Sequence, residues 1–172
     1  LAGIRGDYDN LYGFFVTPRL HLRYALAENT ILRVSAGRGS RTANVIAENL
    51  SMLTTSRRFI IMEKLKMEQA WNYGLNFTQY IDILGKEMTI NADVYRTDFT
   101  NQVIIDKEQN IDQVMVYNLD GKSYANTFQV EVKYELIKRM EVTAAFRYND
   151  VKMTISEELM REPLVNRYKG LF

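Results

Sequence analysis

The chain has 172 residues, of which 47% are hydrophobic and 25% are charged, and its 22 basic and 21 acidic side chains leave a formal net charge of +1. This composition predicts a folded domain and gives no reason to expect nucleic acid or another polyanion as the partner. Because the sequence has no cysteine, disulfides, thiolate metal sites and cysteine nucleophiles are excluded. No apolar run approaches the roughly 18 residues that a membrane helix needs, so the chain is soluble, or a fragment, or crosses a membrane as strands.

Apolar and polar residues alternate along much of the chain with a period of two, which is the period of a β-strand. The clearest case is the segment 19–26, RLHLRYAL, where leucine and tyrosine alternate with arginine, histidine and alanine. In chain order the alternation predicts an all-β fold of about eight antiparallel strands, with an irregularity at Asp120 and Gly121 in the sixth strand. The expected bounds are Leu1–Asp9, Phe15–Leu26, Ile31–Ser40, Glu68–Asp82, Met88–Asp106, Gln113–Leu136, Met140–Thr154 and Leu164–Phe172.

Short and long connections join these predicted strands. Turn signals of about four residues lie at Ala27–Thr30, Leu84–Glu87 and Ile137–Met140, each between two well-marked strands. The connection Thr42–Met67 is far longer than the median of about 4 to 6 residues in compact domains. Several predicted strands also match the roughly 9 to 11 residues of a tilted membrane strand. Short turns at one edge and long loops at the other predict a barrel with unequal ends.

Two folds fit this pattern, and the alternation alone does not choose between them. In a soluble sandwich the apolar face packs inward, whereas in an outer-membrane barrel it contacts lipid and the polar face lines a wet lumen. Aromatic residues near the predicted strand ends favour the barrel, because interfacial girdles occupy such positions. The expected interfacial aromatics are Tyr24, Tyr80 and Tyr134 near the short turns, and Trp71 and Tyr73 near the long loops.

The order of several segments resembles the barrel of a TonB-dependent outer-membrane receptor. The segments are TPRLHLRY (17–24), NYGLNFTQY (72–80), DVYRTDFTNQVIID (93–106), YNLDGKSYANTFQVEVKYE (117–135) and AAFRYNDVKM (144–153). The resemblance implies that residues 1–172 are the C-terminal part of a transmembrane barrel of roughly 22 strands, a partial barrel domain without its plug domain and signal peptide. A complete eight-stranded outer-membrane barrel that serves as an adhesion or anchor protein, and a soluble β-sandwich binding module, stay open as alternatives.

Function follows from this resemblance as an expectation. Receptors of this family sit in the outer membrane of Gram-negative bacteria and import a scarce nutrient, energised through TonB: a metal chelate, a corrinoid, a glycan or a peptide. The implied partners are outer-membrane lipid, the plug domain, TonB, the nutrient and a surface lipoprotein, with no nucleic acid. The polar residues expected to face the lumen are Arg19, His21, Arg23, Gln129, Glu131 and Lys133. The loops expected to meet the ligand or the lipoprotein are Thr42–Met67, Lys107–Gln113 and Ser156–Pro163.

No segment predicts catalysis, a cofactor or a metal. His21 is the one histidine and cannot build a metal cluster or a triad alone. The string GRGSR (37–41) lacks the third glycine of a phosphate loop, and the acidic and amide residues at 106, 110 and 112 lack the glycine and distal glutamate of a calcium loop. The glutamates at 157, 158 and 162 are expected in a solvated loop. We therefore expect no enzymatic activity.

Overall fold

The computed structural model of the protein describes residues 1–107, 109–137, 140–155, 158–161 and 165–171. Twelve strands and two single-turn helices make up this part of the chain. The strands are β1 (Ala2–Asp9), β2 (Gly13–Ala27), β3 (Thr30–Arg41), β4 (Arg58–Ile61), β5 (Glu68–Ile83), β6 (Lys86–Asn101), β7 (Val103–Asp106), β8 (Gln113–Asn118), β9 (Ser123–Ile137), β10 (Met140–Ile155), β11 (Glu158–Arg161) and β12 (Tyr168–Leu171). The helices are α1 (Val45–Glu48) and α2 (Leu50–Leu53), and no helix among the described residues has both the length and the apolar character to cross a membrane.

The main sheet is an antiparallel meander in the order β1, β2, β3, β5, β6, β9, β10, with β11 and β12 both paired to β10. The six strands from β2 to β10 in this order have 12 to 16 residues each, more than the roughly 9 to 11 needed to span a bilayer. Within the described residues the sheet does not close on itself. The predicted all-β antiparallel fold is confirmed, as part of a barrel wall.

The short turns lie at one edge of the sheet, as predicted. The hairpin between β5 and β6 turns at two residues, Leu84 with a φ of 57° and Gly85 with a φ of 75°. Two left-handed residues in succession match the twist of the flanking strands in a two-residue hairpin. Asp82 stabilises the turn by accepting a hydrogen bond from the Gly85 backbone N–H at 2.9 Å. The opposite edge carries the long connections, which we call the loop edge.

Two of the predicted strands are each two strands in the structure. The predicted strand Met88–Asp106 is interrupted at Gln102 between β6 and β7, and the predicted strand Gln113–Leu136 is interrupted between β8 and β9. The second interruption includes Gly121, with a φ of 121°, so the predicted irregularity is confirmed there. The chain leaves the main sheet at Gln102 and returns to it at β9.

A second, three-stranded sheet occupies the loop edge. β8 pairs with β4 in parallel and with β7 antiparallel, so the predicted loop Thr42–Met67 contains α1, α2 and β4. This small sheet holds the largest fully buried side chains among the described residues, Ile104 and Val116. Most of the buried hydrophobic side chains among the described residues therefore lie at the loop edge outside the main sheet, whereas Ile31 and Met153 lie in β3 and β10.

The C-terminal part of the chain has its strands at other positions than predicted. Of the predicted strand Leu164–Phe172, residues 168–171 form β12, and Leu164 and Phe172 lie outside the described residues. Of the predicted loop Ser156–Pro163, residues 158–161 form β11, and positions 156, 157, 162 and 163 lie outside the described residues.

Candidate functional site: the two faces of the sheet and the loop edge

One face of the main sheet is apolar and exposed, and we call it the apolar face. The register of the strands aligns a row of side chains that are 39% to 53% exposed: Leu22, Val34, Leu75, Val94 and Phe128. A contiguous apolar surface across this many strands is unusual for a protein face in water. It has the character of a surface that contacts hydrocarbon.

The band of apolar residues runs obliquely across the strands. On β2 the band starts at Phe14, eight residues before Leu22, whereas on β10 it starts at Tyr148, which lies in the same register row as Leu22. Eight residues at a rise near 3.4 Å correspond to roughly 27 Å along the strands. The strand steps from β2 to β10, at a spacing near 4.8 Å, correspond to about 24 Å across them. The shift arises between β2 and β6, because on β6, β9 and β10 the band starts in one row, at Val94, Phe128 and Tyr148. A band oblique to its strands is expected where strands are tilted in a barrel.

Four of the five predicted interfacial aromatics lie on the apolar face: Tyr24, Trp71, Tyr73 and Tyr134. The rings of Trp71 and Tyr73 stack with their centroids 6.3 Å apart, and the Tyr134 hydroxyl donates to the Ile83 carbonyl beside the short turns at 3.4 Å. Tyr80 differs, because it pairs with Thr89 on the opposite, polar face. The alternation that starts at Trp71 already assigns the odd-numbered positions of β5 to the apolar face and Tyr80 to the other face.

A second set of aromatic side chains was not predicted from the sequence. These side chains come from separate segments and come into contact because β12 pairs with β10. Tyr168 of β12 lies beside Tyr148 and Phe146 of β10, with ring centroids 5.4 and 6.3 Å away. The Arg167 guanidinium lies 5.3 Å from the ring centroids of both tyrosines, and the hydrogen bond from Arg167 to the Tyr148 hydroxyl raises the pKa of the arginine. Tyr124 likewise carries the Arg96 guanidinium over its ring, at 4.9 Å.

The predicted lumen-facing residues share the other face of the sheet, which we call the polar face, in two separate groups. Arg19, His21 and Arg23 lie on β2, and the second group lies on β9, with three strands between them. In the second group Lys133 pairs with Glu131 at 3.3 Å. Gln129, the third member of that group, accepts hydrogen bonds from Arg147.

A hydrogen-bonded network connects β3, β5 and β6 on the polar face. The Arg33 guanidinium donates to Asn76 Oδ1 at 2.7 Å, and the Asn76 amide donates to Asp93 at 2.7 Å. The buried Thr78 hydroxyl bonds to Asn91 at 3.0 Å. These bonds run from strand to strand across a polar wall between the two predicted groups.

Asn118 connects three residues of the loop edge. Its buried amide accepts from the Lys66 backbone N–H at 2.7 Å and donates to the Lys64 carbonyl at 3.0 Å. Its backbone N–H donates to Glu63 at 2.9 Å. The hydrogen bonds from Asn118, aided by the charge of Lys66, lower the pKa of Glu63. One asparagine thus fixes the segment 63–66 against the end of β8.

The residues with calcium-loop spacing build turns. Asp106 is buried and accepts hydrogen bonds from the Gln109 backbone N–H at 3.1 Å and the Tyr117 hydroxyl at 3.3 Å. Asn110 accepts from the Asp112 backbone N–H at 2.8 Å. Within the part of the chain that the structure describes, no group of three or more His, Asp or Glu side chains is arranged to hold a metal ion.

Comparison with known proteins agrees with this geometry. Residues 1–166 match the family described as TonB dependent receptor-like, beta-barrel. No curated protein and no solved structure matches the chain. The match, the antiparallel meander and the oblique apolar band together favour the outer-membrane barrel over the soluble sandwich. The chain therefore belongs to the TonB-dependent receptor-like β-barrel family, whose members are outer-membrane receptors.

Proposed function

We propose that these strands form part of the barrel wall of a receptor that imports a scarce nutrient across the Gram-negative outer membrane, energised through TonB. The observation that carries the proposal is the pair of opposite faces: an exposed apolar band oblique to the strands and, behind it, a continuous polar wall. In this arrangement the apolar face contacts outer-membrane lipid, and Tyr24, Trp71, Tyr73 and Tyr134 lie at its interfaces. The polar face, including all six predicted residues, lines the lumen around the plug domain.

The loop edge would face the exterior and the short turns the periplasm, as in other outer-membrane barrels. Exposed apolar side chains occur in the described loop-edge segments, among them Ile46, Leu50, Met62 and Ile111, which is 81% exposed. They provide a surface for the nutrient or a surface lipoprotein. The nutrient is a metal chelate, a corrinoid, a glycan or a peptide.

The test is uptake by the full-length receptor in its own host. We expect deletion of its gene to abolish growth on one of the four nutrient classes, and re-expression to restore it only in cells with functional TonB. A receptor in which residues 42–67 are replaced by a short Gly-Ser linker should fold but bind the nutrient at least tenfold more weakly. Unchanged uptake of all four classes without the receptor, or restored uptake without TonB, contradicts the proposal.

A further inference from the structure

We propose that the polar face of β2 and β3 holds a carboxylate-bearing segment of the plug domain, bound by Arg19, Arg23 and Arg33. The inference rests on the proposed function, because this face bounds a lumen only in a complete receptor barrel. It goes beyond that function by naming the charged groups of one contact between plug and barrel, and the barrel residues that make this contact.

The first observation is a pair of like charges. Arg23 of β2 and Arg33 of β3 are direct cross-strand partners on the same face, and like charges placed directly opposite one another destabilise a sheet. Both side chains are exposed. Among the described residues, Arg19, Arg23 and Arg33 take part in none of the seven ion pairs. The pair thus favours an anion from outside these strands.

Neighbouring groups compensate this charge only in part. Arg33 bonds to Asn76 and Thr78 at 2.7 and 3.0 Å, and Asn76 in turn bonds to Asp93. Asp93 is the one acidic side chain among the described residues that line the cavity in front of Arg23 and Arg33. The uncharged Asn76 amide lies between the two charged groups, hydrogen-bonded to Arg33 on one side and to Asp93 on the other. The cavity keeps a surplus of positive charge.

Small residues leave room beside the arginines. A side chain at Gly37 would place its Cβ 3.2 Å from the Cγ of Arg19, so the glycine lets the stem of Arg19 lie across β3. A Cβ at Gly74 would meet the ring of Tyr95 at 2.6 Å, so this ring forms the far wall. The cavity lined by Arg23, Arg33 and Tyr95 has about 680 Å³, within the range of pockets that enclose ligands. Arg19 and Gly37 line a neighbouring cavity, which shares His21 and Ser35 with the first.

The position near the short turns favours a resident partner over the nutrient. Arg33 lies three residues after the start of β3 and Arg23 four residues before the end of β2, whereas an incoming nutrient meets the loop edge first. Repulsion between the two arginines is present whenever the barrel is folded. A plug segment with aspartate or glutamate would relieve it continuously in the resting receptor.

The experiment uses the full-length receptor in detergent, with calorimetry to resolve the unfolding transitions of plug and barrel. In the Arg23→Glu/Arg33→Glu variant we expect the plug transition to fall by about 4 °C or more at low salt. This shift should shrink in 500 mM NaCl, because salt screens the interaction. The charge-preserving Arg23→Lys/Arg33→Lys variant should stay near wild type. Lys86→Glu, beside the short turn between β5 and β6 and outside the polar face, serves as the control for charge reversal as such.

Two further readouts keep the outcomes distinct. The neutral variant Arg23→Gln is measured as well, in case the double variant does not assemble. It also relieves the repulsion between the arginines, and it should lower the temperature of the plug transition by less than the double variant does. Unchanged plug transitions with weaker nutrient binding would assign the arginines to an anionic nutrient and overturn the inference, as would no change in either. Loss of TonB-dependent uptake is scored separately in wild type, so a failed import function is distinguishable from a failed plug contact.

Discussion

Asn118 and Glu63 are 55 residues apart in the chain, yet the Asn118 backbone N–H donates to the Glu63 carboxylate at 2.9 Å. Together with the bonds of the Asn118 amide to Lys64 and Lys66, this contact ties the strand β8 to the segment that leads into β5. The loop edge is therefore held in place by specific hydrogen bonds around the buried side chain of Asn118. Its stability can be tested apart from that of the barrel wall.

Asn118→Ala should release the segment 63–66. Removal of the amide takes the hydrogen-bond partner from the Lys66 N–H and the Lys64 carbonyl, and each such bond contributes about 0.5–1.5 kcal/mol. We expect faster amide hydrogen exchange at residues 63–66 in the full-length receptor and unchanged exchange in β9 and β10. Asn110→Ala, at an exposed turn of the same loop edge, is the control. Equal protection of the segment in the Asn118→Ala and Asn110→Ala variants would contradict this role.

Acid should open the same contact. The pKa of Glu63 is lowered in the folded protein, so its contribution is complete above the ordinary glutamate pKa of about 4.3 and is lost as pH falls through the lowered folded value. The protection factors of the segment between pH 6 and pH 3, in which the pH dependence of intrinsic amide exchange is divided out, measure this loss. Glu63→Gln should remove the pH dependence, whereas Glu28→Gln at the short-turn edge should leave it intact. A pH dependence that persists in Glu63→Gln would assign the transition to another group.

A charge on the apolar face should prevent barrel assembly, while the same charge on the polar face should not. Ala144 and Thr143 are neighbours in β10, and their register places them on the apolar and polar faces respectively. Ala144 is the middle one of the apolar-face positions between Met140 and Tyr148. A lysine that faces lipid at mid-depth costs about 2–4 kcal/mol. We expect Ala144→Lys to reduce the folded, heat-modifiable form in outer membranes, with Thr143→Lys close to wild type. Equal assembly of the two variants would argue against lipid contact at this face.

Gly74 should be intolerant of a side chain because of the ring above it. A Cβ there would lie 2.5 Å from the Ser35 hydroxyl and 2.6 Å from the Tyr95 ring, and overpacking of this kind costs about 1–3 kcal/mol. Gly74→Ala should therefore lower the barrel melting temperature, and less so in a Tyr95→Ala background. Gly39→Ala, where no atom lies within 4 Å of the added Cβ, should be neutral. A double-mutant cycle without coupling between positions 74 and 95 would refute the contact.

Local pattern predicted the faces of the strands well. Successive side chains of a strand point to opposite faces, so the alternation around Arg19, His21 and Arg23 places them together on the polar face. The same rule would have placed Tyr80 correctly, had it been extended from Trp71 along β5. Alternation does not reveal which strand is the partner: a single residue, Gln102, separates β6 from β7, yet the two strands belong to different sheets.

The sequence by itself determined the antiparallel strands, the short-turn edge and the family, because alternation, turn residues and ordered strand patterns are properties of contiguous segments. Only the tertiary structure decided which strands meet. The opposition of Arg23 and Arg33, the parallel pairing of β4 with β8 and the cluster of Tyr148 with Tyr168 each depend on register or on hydrogen bonds between separated segments. Register follows from the length and path of the connections and from cross-strand packing, which a two-residue period in one strand does not contain.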